Sequence, residues 1–159
     1  MEFAEAQGMA VELMVLHGVG DWGFRWNFRK RALGLCRYRE KRLELSRYFV
    51  AANAPDMVRE TILHEIAHAL AGEKAGHGPT WKAACSRVGC KPERCDKGEA
   101  VMPRGRWAAK CAAFGKEYWR HKRPQRGAKY WCRGCGPSRG AVQFFLRFDA
   151  MPSSASNGR

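Results

Sequence analysis

The sequence predicts an α+β fold, in which a small antiparallel sheet packs with one motif-bearing helix and a small, basic, β-rich appendage follows. Three observations carry that reading. Short segments between Trp22 and Ser46 alternate apolar and polar residues, the pattern of half-buried strands. From Asn53 the apolar spacing changes to that of a helix. From Val101 to Phe148, strand-like segments interleave with twelve Lys or Arg and a single acid, Glu117, so most of the formal charge of +14 falls in less than a third of the chain.

The elements follow in order. Ala6, Met9, Ala10, Leu13, Val15 and Leu16 have the spacing of an amphipathic helix over residues 4–16, which Gly18 and Gly20 stop. Trp22 to Phe28, Leu35 to Tyr38 and Leu43 to Ser46 read as three antiparallel strands with one face on a core and Arg and Lys on the other. Asn53 can cap the next helix, Pro55 fits its first turn and Asp56 suits the positive end of its dipole. Met57, Val58, Ile62, Ile66, Ala69 and Leu70 supply its buried face, and Gly72 ends it.

A loop through Gly76-His77-Gly78 leads to a helix from Pro79 to about Val88, closed by Gly89. Beyond a composition shift near Pro103, Trp107 to Phe114, Glu117 to His121 and Lys129 to Cys132 read as short strands, with Lys122 to Gly127 as a turn. The expected organisation is a first domain over residues 1–102, a basic appendage over 103–148 and a flexible tail over 149–159.

With 45% hydrophobic and 28% charged residues the chain can bury a core, which excludes an intrinsically disordered protein. No stretch approaches the ~20 apolar residues of a spanning helix, so no membrane partner is expected. The acidic start and the lack of a basic n-region argue against a secretory signal, which leads to the expectation of a cytoplasmic chain. In that compartment the seven cysteines read as metal ligands or reduced thiols rather than disulfides.

The chemistry concentrates in His64-Glu65-Ile66-Ala67-His68. On a helix, His64 and His68 stand on one face and can grip one zinc ion, while the Glu65 carboxylate lies about 100° around the axis. Zinc there lowers the pKa of a bound water to roughly 7; Glu65 takes its proton as general base, and the hydroxide attacks a polarised carbonyl, which is amide hydrolysis. A third protein ligand is needed, with Glu73, His77 and Glu99 as candidates. A helix end would turn Glu73 away, whereas Gly72 and Gly76 allow the chain to bring His77 back.

His64-Glu65-Ile66-Ala67-His68-Ala69-Leu70 followed by His77-Gly78-Pro79-Thr80-Trp81 resembles the SprT-like metalloprotease family, to which Spartan belongs. The resemblance extends upstream to the segments at Trp22 to Phe28, Gly34-Leu35-Cys36 and Leu43 to Ser46, and downstream to Lys91-Pro92-Glu93-Arg94. It implies a zincin-type active-site helix, His64, His68 and His77 as zinc ligands, and Glu65 as the catalytic acid/base. For the appendage it implies a zinc-ribbon-like module built on two C-x-x-C pairs. Cys132-Arg133-Gly134-Cys135 matches one pair, but of the other only Cys111 is present, with Phe114 where the second cysteine belongs.

A second, structural zinc would therefore rest on Cys111, Cys132 and Cys135 with His121 or Cys95 as fourth ligand; alternatively, aromatic packing holds a ribbon that has lost its metal. Cys36, Cys85 and Cys90 read as buried thiols, and His17 as a helix-end residue.

The basic residues Arg104, Arg106, Lys110, Lys116, Arg120, Lys122, Arg123, Arg126, Lys129 and Arg133 alternate with Trp107, Tyr118, Trp119, Tyr130 and Trp131. Cations suit phosphates and rings stack on bases, so DNA is the expected partner, with little sequence preference. The bland alternative is a solubilising face whose rings form a small core. The expected function is a zinc-dependent endopeptidase acting on proteins at DNA. For the Spartan branch the resemblance implies proteins crosslinked to DNA as substrates. The rival readings are a non-catalytic zinc-containing nucleic-acid-binding protein and a peptidase with no nucleic-acid role.

Overall fold

A computed structural model describes residues 1–93 and 100–147. Cys95, Glu99 and the tail from Met151 lie outside the described residues. The chain forms two compact units, Met1–Pro103 and the residues from Arg104 onward.

The first unit opens with α1 (Phe3–Leu16), whose start is tied by the Glu2 N–H donating to Glu5 Oε2 at 3.1 Å. It turns Ala6, Ala10, Leu13 and Met14 into the core, and His17 caps it by donating its N–H to the Leu13 carbonyl. Val15 and Leu16, counted above among the apolar set, are exposed.

Three strands follow, β1 (Gly23–Asn27), β2 (Gly34–Arg37) and β3 (Arg42–Ser46), in spatial order β1-β3-β2. The expectation of an all-antiparallel sheet is corrected here: β2 and β3 are antiparallel, but β1 runs parallel to β3. The segment after β1 is long enough to step across the end of β3 instead of turning back beside β1, and Ser46 closes this crossing by donating its Oγ–H to the Arg29 carbonyl at 2.6 Å.

The register sorts the faces. Phe24, Trp26, Leu43 and Leu45 share the core side with Gly34 and Cys36. Arg37, Arg42 and Asn27 gather on the other side around the buried Glu44 carboxylate, with Arg42 Nη2 2.9 Å from Glu44 Oε1. A buried carboxylate requires such partners, and the basic outer face supplies them.

A short helix absent from the sequence reading, α2 (Arg47–Ala52), follows β3; Ser46 Oγ accepts its Phe49 N–H and so caps it. The expected capping role of Asn53 is also corrected. The N-cap of α3 (Pro55–Ala71) is Ala54, and the Asn53 amide instead donates to the Phe49 and Val101 carbonyls while its Oδ1 accepts the Val101 N–H. Pro55 does take the first turn, where its missing N–H costs nothing.

The α3 helix is the centre of this unit. Thr61 to Ala67 are buried without interruption because the helix is packed by β2, by α1 and by α4 (Pro79–Val88). A residue on almost any face of its middle turns is thereby held in a fixed environment. No helix among the described residues is long and apolar enough to cross a membrane.

The second unit contains β4 (Trp107–Lys110), β5 (Glu117–Arg120), β6 (Tyr130–Trp131), α5 (Gly136–Arg139), β7 (Ala141–Val142) and β8 (Phe145–Leu146). One sheet has the order β5-β4-β8, and β6 pairs with β7. The strand expected to run to Phe114 ends at Lys110, since Cys111 opens a turn in which its carbonyl accepts the Gly115 N–H at 2.8 Å. Ala109, Cys111, Cys132 and Val142 form a small core, flanked by Tyr118, Tyr130, Cys135 and Phe144.

Candidate metal centre

Helical spacing places His64 and His68 on one face of α3, and the third imidazole arrives from the loop beyond it. Gly72 has φ 85° and ψ 161° and Gly76 φ 50° and ψ −129°, conformations that a side chain would strain. Between them a 3₁₀ turn, Glu73–Ala75, carries the chain round. His77 then stands with its Nε2 3.2 Å from that of His64 and 3.2 Å from that of His68. Glu73, the rival third ligand, is not in this group.

Trp81, on the first turns of α4 and 1% exposed, lies against all three rings. Its centroid is 4.8 Å from that of His64, 4.5 Å from that of His77 and 5.3 Å from that of His68, with the His68 plane at 29°. The indole Nε1 is buried without a hydrogen-bond partner. The ring packs against all three imidazoles and so restricts their orientations.

Burial, reinforced by His68 and His77, holds His64 down to about 3, and burial together with His77 holds His68 to about 4. Both rings stay neutral near pH 7, the state a metal ligand requires. Three imidazole nitrogens with their Nε2 atoms crowded together suit one divalent cation. Zn–N bonds of ~2.0–2.1 Å in a tetrahedron give N···N edges of about 3.3 Å, which the two 3.2 Å separations match.

Glu65, about 100° further round the helix than His64, is buried with its carboxylate against Gly34 of β2. Burial pushes its carboxyl up to about 8, while the backbone amide of Cys36 favours the ionised form and opposes the rise. Cys36 itself, expected to be buried, is half-buried, and its thiol is pushed up to about 12 by burial and by Glu65.

The SprT-like family model matches residues 9–99, more than half of the chain, a span that takes in all three histidines and Glu65. The chain belongs to the SprT-like family. The Protein SprT of Pseudomonas savastanoi pv. phaseolicola (strain 1448A / Race 6) is 28% identical over 122 residues, covering 69% of this chain and 74% of that protein. The Protein SprT of Pseudomonas syringae pv. tomato (strain ATCC BAA-871 / DC3000) is similar to the same extent, and that of Pseudomonas entomophila (strain L48) is 28% identical over 121 residues.

In the second unit of this SprT-like chain the Sγ atoms of Cys111, Cys132 and Cys135 lie within 4.8 Å of one another, those of Cys111 and Cys135 at 3.5 Å. Zn–S bonds of ~2.3 Å would give S···S edges of about 3.8 Å, so the trio also fits a metal. The Tyr118 hydroxyl donates to Cys132 Sγ at 3.0 Å and is the main cause that pulls Cys132 down to about 6; burial pushes Cys135 up to about 11. His121, the proposed fourth ligand, is not in the trio, and Phe114 is 71% exposed with its ring over the Gly134 turn.

Of the ten basic residues singled out in the sequence, all are exposed except Arg120, which is half-buried over the Tyr130 ring at 4.7 Å. Arg104 lies 5.0 Å from the Trp119 ring centroid, where Arg147, missed in the sequence, also stacks at 5.5 Å. Trp107, Phe144, Pro124, Arg123 and Arg126 line a cavity of about 550 Å³. The rings divide as the two readings allowed: Tyr118 and Tyr130 flank the small core, while Trp131 is 51% exposed.

Proposed function

We propose that this SprT-like chain is a zinc-dependent endopeptidase in which His64, His68 and His77 hold the metal and Glu65 is the general base. The observation that carries the reading is the convergence of three imidazoles, with a buried carboxylate at the next position of the same helix. A divalent ion in that position supplies a Lewis acid for a peptide carbonyl and acidifies a water. Glu65 takes up the proton at its carboxylate and passes it to the leaving amine. Its carboxyl, raised by burial, is brought back toward ionisation by a dication nearby, so base strength and metal occupancy are linked.

A purely structural metal site needs the histidines but has no use for a buried carboxylate on the adjacent position, which favours the peptidase over the non-catalytic alternative.

We further propose that the substrates are proteins located at DNA, including proteins crosslinked to it. The support is the basic surface of the second unit, opposed among residues 101–148 only by Glu117, which pairs with Arg104, together with its accessible rings and the cavity in which Arg123 and Arg126 stand beside Trp107 and Phe144. A protease of low sequence selectivity acquires targets through the concentration of DNA-bound protein that such a surface provides. The test is Glu65→Gln assayed on a DNA-bound protein substrate with and without DNA. The variant should keep metal and DNA binding and lose cleavage; cleavage equal to that of the unaltered chain would refute the peptidase reading.

A further inference from the structure

The carboxylate of Glu65 rests on a stretch of bare backbone. A β-carbon built on Gly34 of β2 would stand 2.8 Å from Glu65 Cγ, 2.9 Å from Oε1 and 3.2 Å from Cδ, closer than side-chain carbons pack, so the absence of a side chain at 34 is what leaves room for the carboxyl group. Two residues along the same strand, the backbone amide of Cys36 favours the ionised form of that carboxylate. Alternate residues of a strand share a face and an edge, so Gly34 and Cys36 present themselves together, and the pairing of β2 with β3 (Gly34 opposite Leu45, Cys36 opposite Leu43) fixes both.

We propose that Gly34 is a positioning residue for Glu65: the side-chain-free backbone at 34 and the amide at 36 form a cradle that sets the depth and direction of the carboxylate independently of the histidines. The inference rests on Glu65 acting as the base. Gly34 touches none of the reacting groups and acts only through that carboxylate. The Glu65 side chain is buried, so a methyl group at 34 cannot be accommodated by swinging the carboxyl into solvent; the carboxylate must shift within the packed interior. The three imidazoles are held by α3, by the loop after Gly72 and by Trp81, and should keep their arrangement.

The chain should therefore separate metal binding from catalysis at a position outside the H-E-x-x-H motif. In Gly34→Ala, metal content and the visible spectrum of the cobalt-loaded protein should match those of the unaltered chain, KM should stay within about twofold, and kcat should fall by about a hundredfold, the scale of an ångström-sized misplacement of a catalytic group. A thermal-unfolding cycle with Glu65→Ala supplies a readout that needs no activity. Gly34→Ala should lower the midpoint when Glu65 is present and leave it unchanged when Glu65→Ala has opened the space, which also restores folding should the single variant be too unstable to study.

Equal midpoint losses in both backgrounds would overturn the proposal, as would loss of metal or unchanged kcat in Gly34→Ala. If the unaltered chain proves to cleave nothing, the peptidase reading fails, while a non-additive thermal cycle would still establish the cradle.

Discussion

His68 and Trp81 are stacked, with ring centroids 5.3 Å apart and planes at 29°. Because the same indole also meets His64 and His77 edge-on, one side chain of α4 restricts the orientations of three imidazoles that come from two different segments. Partners of metal ligands typically contribute 10- to 100-fold to affinity. Trp81→Leu should accordingly weaken metal binding by about that factor in competition with a chromophoric chelator, and Trp81→Phe by much less. An affinity unchanged in Trp81→Leu would show that the ligands need no such contact.

The metal-free chain should be most stable slightly below neutral pH. His64 and His68 are depressed from 6.5 to about 3 and about 4, so between those values and 6.5 the unfolded chain binds more protons, and stability falls as the solution is acidified through that window. Glu65 is raised from 4.5 to about 8, so its contribution is full at low pH and is lost as pH rises toward 8. Chelator-treated protein melted from pH 4 to 9 should show both flanks, each up to about 1.4 kcal/mol per pH unit per group. Glu65→Gln should remove the alkaline flank alone; persistence of that flank in the variant would assign it elsewhere.

Binding of the chain to single-stranded DNA should weaken steeply with salt, the logarithmic slope decreasing by about 0.7 for each phosphate contact removed. Arg123→Ala and Arg126→Ala should each reduce that slope. Trp107→Ala should weaken binding by about 1–3 kcal/mol without altering the slope, since a stacked ring carries no charge. Negligible affinity for DNA, unchanged by salt, would argue for a peptidase with no nucleic-acid role.

Position Cys132 offers a check on the second cluster. Replacing it with Ser should remove any metal held there and leave the histidine centre loaded, because no residue of that trio takes part in the histidine group. Simultaneous loss from both centres would mean that the cysteines act on the fold as a whole.

Much of the histidine cluster was legible because its logic is local. His64 and His68 are related by helix geometry alone, and the turn that returns His77 depends on Gly72 and Gly76, whose backbone angles suit glycine. What lay beyond the sequence depends on tertiary approach. Gly34 looks like any glycine at a strand start until Glu65 is seen packed against it, although a glycine within a strand is a general sign of close approach.

The parallel pairing of β1 with β3 was missed because alternation of apolar and polar residues is the same for either direction. Asn53 satisfied the composition rule for a helix cap, yet a backbone 48 residues away, at Val101, competed for its amide. Short helix α2 has too few residues for a periodic signal and is specified by the Ser46 cap and by burial of Phe49 and Val50.

The central claim is that three imidazoles hold one divalent ion, and metal stoichiometry tests it most directly. Elemental analysis of the purified chain and of His77→Ala, after identical loading with zinc and removal of excess, should show one equivalent fewer in the variant while its circular dichroism is unchanged. Equal metal content in the two proteins would contradict the account.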